Sequence, residues 1–308
     1  MIGRDIMTRR EWMALLAVAG TGLAAGCGPG ANAGPTASKP QPAKPGIADL
    51  PRIGLGTWQT FDIGSSDAVR KPLAEVLSLF VQLGGRVIDS SPMYGRSEEV
   101  VGDLAASLGV RDKLFMATKV WTSGRARGIA QMEESERKLR GKIDLMQVHN
   151  LEDAETHLET LRQWKAAGRI RFIGITHYTA GGHEALAAHI RRGGIDFIQV
   201  NYSLAEREAE NTLLPLARQK NVAVLINRPF GAGSLFRETR GKALPAFAKE
   251  LGCHSWAELF LKFVISHPAV TCAIPATSKA AHLRENMNAG HGPMPDATMR
   301  KRIAAAVG

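Results

Sequence analysis

From residue 49 onward, short runs of apolar and β-branched residues alternate with longer stretches whose apolar positions recur every three or four residues. The short runs, over 52–56, 87–91, 114–120, 143–149, 170–176, 197–202, 222–226 and 270–274, have the length and composition of buried strands. The longer stretches, over 97–108, 125–140, 154–167, 182–192, 206–220 and 256–266, predict helices. In one of them Ala185, Leu186, His189 and Ile190 form the stripe of a helix lying on a sheet. Eight strands with intervening helices, over about 250 residues, match an α/β fold of the (β/α)8, or TIM, barrel class. A doubly wound sheet would carry Gly-x-Gly-x-x-Gly after its first strand, and no such run follows here.

Upstream of the alternating region the pattern is different. Thr8-Arg9-Arg10-Glu11-Trp12-Met13 places paired arginines before an uncharged, Ala- and Gly-rich run over 12–27, too short to span a bilayer. Residues 1–33 therefore resemble a twin-arginine export signal. Leu23-Ala-Ala-Gly-Cys27 resembles a lipoprotein box whose Leu stands one place early, which would leave Cys27 acylated and the protein at a membrane. Ala31-Asn-Ala33 fits a signal-peptidase site, which would release a soluble protein. Both readings stay open. Residues 34–48, rich in Pro, Ala and Lys, read as a flexible linker, and 49–308 as the barrel.

Composition narrows the partners. The 308 residues are 44% apolar, ample for a core, and the formal charge is +10. The basic residues form no runs interleaved with aromatics, so nucleic acid is not expected, whereas a dinucleotide would answer the charge equally well. Cys27, Cys253 and Cys272 lack metal-ligand spacing, and no metal site or disulfide framework is expected. The chain is read as a monomer.

The chemistry concentrates at strand ends. The second strand carries Asp89 and is stopped by Pro92, and Ser97-Glu98-Glu99 reads as a helix start with a hydroxyl cap, so Asp89 and Tyr94 lie on a strand-to-helix loop. The third strand ends at Lys119 and the fourth at His149. Taken singly, Asp89 as a turn cap or His149 as a satisfied polar residue would be ordinary structure. In a barrel all four groups share one mouth, where such folds place their sites. A phenol with a pKa near 10 is a poor acid at neutral pH, but an adjacent ammonium lowers that value. Asp89 can hold Lys119, Tyr94 can give its proton to a carbonyl oxygen as hydride reaches the carbon, and His149 can hydrogen-bond the same oxygen.

Gly54-Leu-Gly-Thr-Trp58, Asp89-Ser-Ser-Pro-Met-Tyr94-Gly, Thr118-Lys119, Gln147-Val-His149, Gln199-Val-Asn-Tyr-Ser203 and Ile274-Pro275 through Glu285-Asn286 together resemble the aldo-keto reductase family, in order and at its spacing. The resemblance implies a (β/α)8 barrel, reduction of a small aldehyde or ketone with NADPH or, second, NADH, and a catalytic tetrad of Asp89, Tyr94, Lys119 and His149. It also implies that Gly56, Thr57 and Gln199 hold the nicotinamide amide. Thr176-His177 stands where the family has Ser-Asn. Asn227-Arg228-Pro229-Phe230 stands where it has an aromatic residue followed by Ser-Pro-Leu, so the stacking ring is missing at Asn227 and Phe230 is the candidate substitute. Arg228 can pair with the pyrophosphate or form a surface ion pair, and Gly231, Gly233 and Ser234 would let the backbone approach the phosphates. Ala276-Thr277-Ser278-Lys279 is expected to open a helix whose first turn receives the ribose phosphate, with Lys279 supplying charge and His282 at the family's Arg position. Glu285 and Asn286 match positions near the adenine. Trp58 and Trp121 are expected to wall the substrate pocket, and 295–307 to form one helix in a tail too short for the long closing loop of some family members, which leaves the mouth open. A nicotinamide-binding sensor or regulatory subunit on the same barrel is the alternative to an enzyme.

Overall fold

The computed structural model describes residues 46–307. The export signal, the lipoprotein box and nearly all of the linker lie outside the described residues. Within them, eight parallel strands follow one another in chain order around a single sheet: β1 Leu55–Gly56, β2 Val87–Asp89, β3 Phe115–Val120, β4 Leu145–Val148, β5 Phe172–Thr176, β6 Phe197–Asn201, β7 Ala223–Asn227 and β8 Cys272–Ala273. Parallel bridges from Ile53 to Ala273 and from Gly56 to Ala276 join the first strand to the last and close the barrel. At that seam a Cβ on Gly56 would stand 2.7 Å from the Ile274 carbonyl oxygen, so only glycine permits the approach.

Side-chain alternation along the strands divides the core in two. In β3, Phe115, Ala117 and Lys119 point one way and Met116, Thr118 and Val120 the other. Phe115 and Ala117 join Val87, Leu145, Phe197, Leu225 and Cys272 in the barrel interior. Met116 and Val120 pack outward in the larger cluster with the helices. Phe115, Phe172 and Phe197 fill the interior with ring centroids 5.5 to 6.1 Å apart. Two residues further along these strands, the inward residues become polar: Asp89, Lys119, Gln147 and Gln199. Gly174 on β5 makes room for this layer, since a Cβ there would lie 2.8 Å from the Gln147 side chain.

The outer layer comprises α1 Asp67–Gln82, α2 Ser97–Ser107, α3 Arg125–Lys138, α4 Ala154–Ala166, α5 His183–Arg192, α6 Leu213–Gln219, α7 Ser234–Glu238, α8 Trp256–Ile265, α9 Ala280–Asn288 and α10 Ala297–Val307. Several differ from the sequence pattern. α1 is not among the stretches named from the sequence, and it continues through Pro72. In α2, Ser97 occupies the first helical position behind Arg96 and makes no capping bond; its hydroxyl donates to the Thr57 carbonyl at 3.4 Å. The α5 stripe that is buried is Leu186, Ala187 and Ile190, while Ala185 faces out. The predicted helix over 206–220 is a 3-10 turn, Glu208–Glu210, followed by the shorter α6. The folded part begins before residue 49, because Ile47 packs against the lower barrel cluster with Leu50. α10 is fastened by Arg300, which bonds the Tyr202 hydroxyl at 2.5 Å and Glu210 at 2.6 Å.

Candidate active site

An ammonium carried into the barrel interior requires a counter-charge. Asp89 provides it: Lys119 Nζ donates to Asp89 Oδ2 at 2.6 Å and to the Ser90 carbonyl at 2.7 Å. The other carboxylate oxygen accepts from Gln147 Nε2 at 3.0 Å and from Gln199 Nε2 at 2.7 Å. All four side chains are buried. Burial and the loss of water act to lower the Lys119 pKa, but the Asp89 carboxylate, with Tyr94 and the hydrogen bonds, holds it above the usual lysine value. The ammonium therefore stays charged and immobile. Gln147 is noted in the sequence only as part of Gln147-Val-His149, without a role, although a strand over 143–149 would place it on the same face as His149.

Tyr94 comes from the turn after β2, where its N–H donates to the Ser91 carbonyl at 3.0 Å and its own carbonyl accepts from Ser97 at 3.1 Å. The Lys119 ammonium lies 5.0 Å from its ring centroid. Burial raises the Tyr94 pKa above 10.0, outweighing the opposing pull of Lys119, and Asp89 raises it further. The expectation of a lowered phenol pKa is thus corrected: desolvation exceeds the ammonium's effect, and Tyr94 is held as the protonated acid. His149 meets Tyr94 edge-on, with centroids 5.9 Å apart, and its Nδ1 is 3.0 Å from Ser91 Oγ. Burial, with smaller contributions from the charges of Lys119 and His177, pushes the imidazole down to about 3, so it is neutral at physiological pH. Tyr202, also buried, belongs to a different cluster, its hydroxyl donating to Glu210 and accepting from Arg300.

At the rim, Trp121 stands 6.3 Å from the His149 ring and is 43% exposed, and Trp58 is 52% exposed, so neither is core. Gln131 fixes the Trp121 backbone from both sides, accepting from its N–H at 2.6 Å and donating to its carbonyl at 3.2 Å.

Around the other half of the mouth, the expected coenzyme residues divide. Thr176 Oγ accepts from the Asn150 N–H at 3.1 Å, which leaves its proton free to donate. His177 stacks on Tyr178, centroids 5.8 Å apart and 9° from parallel. Asn227 donates to the His177 carbonyl at 3.2 Å, and its Oδ1 is buried without a partner. Arg228, at a positive φ of 50°, pairs with Glu206 at 3.3 Å, yet Arg228 Nε and Glu206 Oε2 are both buried and unsatisfied. Buried polar atoms normally have partners. Of the three orphans at the carboxyl ends of β6 and β7, the Arg228 Nε donor suits a phosphate and the Asn227 Oδ1 acceptor suits an amide N–H of a dinucleotide, whereas the Glu206 carboxylate suits no phosphate. Glu206 carried no signal in the sequence. Gly231 and Gly233, both at positive φ, lead into Ser234 at the start of α7.

Two expectations, at Phe230 and at the helix after β8, are corrected. Thr57 is buried, as are Thr176 and Gln199, and its hydroxyl lies 3.1 Å from the Asp89 carbonyl and 3.0 Å from Ser90 Oγ, where it fixes the end of β2. Gly56 serves the seam beside it. Phe230 turns away from the mouth and packs 4.9 Å from Phe236, in the cluster with α8, so it supplies no stacking ring. The helix after β8 does not open at Ala276; Thr277 Oγ accepts from the Lys279 N–H at 3.1 Å in a preceding turn, and α9 starts at Ala280 with Lys279 as its cap residue. Ser278, Lys279 and His282 are exposed there, Glu285 is half-buried and Asn286 is buried.

The aldo/keto reductase family profile matches residues 52–306. Methylglyoxal reductase YeaE of Escherichia coli is 31% identical over 254 residues, covering 78% of this chain and 86% of the relative. Aldo-keto reductase YhdN of Bacillus subtilis is 32% identical over 191 residues, covering 57% of each chain. Among solved structures, the aldo/keto reductase of Klebsiella pneumoniae in complex with NADP and acetate superposes with a TM-score of 0.71 at 28% identity, over 84% of this chain and 92% of that one.

Proposed function

The chain belongs to the aldo/keto reductase family, and from that premise we propose that it reduces a small aldehyde or ketone to the alcohol with NADPH. The observation that carries this reading is the buried Asp89–Lys119 pair lying beneath Tyr94 and His149. Bound NADPH supplies the hydride. The protein's own part is to direct the carbonyl oxygen and give it a proton. Tyr94, protonated at neutral pH, donates to that oxygen as negative charge develops on it. The fixed Lys119 ammonium then stabilises the phenolate left behind, and Asp89 keeps that ammonium in place. Neutral His149 orients the oxygen without adding a second charge beside Lys119.

Gln199, Thr176, Asn227 and Arg228 are the groups that would hold the coenzyme, with Lys279 for the ribose phosphate. Trp58, Met93 and Trp121, all exposed at the rim, favour a carbonyl compound with an apolar body. The test is turnover of the purified protein on a panel of aldehydes and ketones with NADPH and NADH in turn. Carbonyl-dependent oxidation, faster with NADPH, is expected. Tight coenzyme binding with no turnover on any member would replace the enzyme by a sensor.

Export is a separate proposal. The Arg9-Arg10 pair ahead of the uncharged run supports twin-arginine transport, which carries folded cargo and so suits a barrel that takes up its coenzyme before leaving the cytoplasm. Acylation at Cys27 and cleavage after Ala33 are the two outcomes to separate.

A further inference from the structure

We infer that Ser91 is a positioning residue that donates its hydroxyl proton to His149 Nδ1 and thereby fixes the imidazole in the tautomer carrying its hydrogen on Nε2. The inference rests on the reading above, in which His149 addresses the substrate oxygen.

Ser91 is fully buried. Two groups approach its Oγ: the Met93 N–H at 3.4 Å, which can only donate, and His149 Nδ1 at 3.0 Å. Among the described residues, then, the serine proton has one acceptor, Nδ1. Were Nδ1 to carry the hydrogen instead, Ser91 Oγ would face two N–H donors and its own O–H would be buried without an acceptor, an arrangement that folded proteins avoid. His149 Nε2 has no protein hydrogen-bond partner among the described residues, and the ring stands between Tyr94 and Trp121 at the mouth. Donation by Ser91 satisfies every polar atom in this group and leaves Nε2–H for an incoming oxygen.

The choice matters because the imidazole is neutral. A neutral ring has one N–H, and only the Nε2–H form can donate to an oxygen that is gaining negative charge. The other form would present a lone pair and repel it. The Ser91 carbonyl also accepts from the Tyr94 N–H at 3.0 Å, so one short turn places the acid and sets the donor.

The test is imidazole nitrogen NMR on uniformly labelled protein at neutral pH, with His149→Asn used to assign the signal. Wild type should show a protonated Nε2 and an unprotonated Nδ1; a protonated Nδ1 overturns the inference. In Ser91→Ala the two tautomers should mix, and kcat should fall about tenfold, as expected for one lost hydrogen bond near the reacting centre. NADPH affinity should stay near wild type and melting temperature should fall by only a few degrees, as for one lost buried hydrogen bond, and Ser91→Thr, which restores the hydroxyl, should recover the single tautomer and most of kcat. An alanine variant with the wild-type tautomer and wild-type kcat also overturns it. The NMR result does not depend on turnover, so an inactive wild type with protonated Nε2 would remove the reductase reading and leave the serine–histidine assignment standing.

Discussion

Lys119→Met tests the site at its most interdependent point. Methionine has nearly the reach and volume of the lysine stem, so packing changes little and the effect is electrostatic. The substitution leaves the buried Asp89 carboxylate without the ammonium that bonds Oδ2 at 2.6 Å. Breaking a buried ion pair by removing one partner typically costs about 3–5 kcal/mol. Asp89 keeps its Gln147 and Gln199 donors on Oδ1, which argues for the lower end, about 3 kcal/mol. For a domain of this size that corresponds to a fall in melting temperature of about 6–12 °C, at about 2–4 °C per kcal/mol. The double variant Asp89→Asn, Lys119→Met removes both charges and should return to within about 1 kcal/mol of wild type, because no charge is left unpaired. Neither variant should recover activity: single-turnover reduction at saturating NADPH should be lower by about 10²–10⁴, since Tyr94 loses the cation that stabilises its phenolate. Calorimetry without coenzyme and stopped-flow measurement with it read the two effects separately. A single variant that melts with wild type, or a double variant as unstable as the single, would refute the argument from pairing.

Tyr94→Phe keeps the ring and removes the acid; reduction should fall by about 10²–10⁴ with coenzyme affinity unchanged, and equal turnover would sink the mechanism. His149 is held neutral in the fold down to about 3 against an ordinary 6.5, so between those values the unfolded chain binds the additional proton and stability declines with falling pH. This contribution is complete above about 6.5 and changes by at most about 1.4 kcal/mol per pH unit below it, and urea denaturation of His149→Asn should show a shallower acid slope than wild type; identical slopes would contradict the assignment. Lys279→Glu should weaken NADPH about 10- to 100-fold more than NADH in fluorescence titrations, matching a lost charge-assisted contact of about 1.5–3 kcal/mol; equal weakening would move the ribose phosphate elsewhere. Replacing Arg9 and Arg10 together by Lys should hold active protein in the cytoplasm in a fractionation assay, and unchanged export would eliminate the twin-arginine proposal.

The barrel was legible because its strands are dense in β-branched residues and its helices carry a clear period. The errors fall where side chains override local pattern. The apolar run over 143–149 predicts one strand, but Asp144 turns its carboxylate to the Met116 N–H at 2.9 Å, and the ladder proper starts at Leu145. The helix expected from residue 206 is broken because Glu210 is drawn into the cluster of Tyr202, Arg207 and Arg300. At the site, the residues with rare chemistry for their position, Asp89, Lys119 and His149, stood out in the sequence. Ser91 and Gln147 did not, since a serine in a turn and a glutamine in a strand have many ordinary explanations. Phe230 illustrates the opposite failure: a suitable residue type at a suitable position, claimed instead by Phe236 and the face of α8.

The seam between Ile53 and Ala273 also sets an order of events during biosynthesis. As the ribosome extends the chain, the first strand emerges with one edge that only the eighth can cover, so ring closure waits for nearly the whole domain. Such distant pairing is slow to form, and an unpaired edge invites association with other chains in the interval. A variant weakened at Gly54 or Gly56 should therefore reveal itself first as lower yield and greater chaperone dependence in growing cells, before any change in the catalytic constants of the molecules that do close.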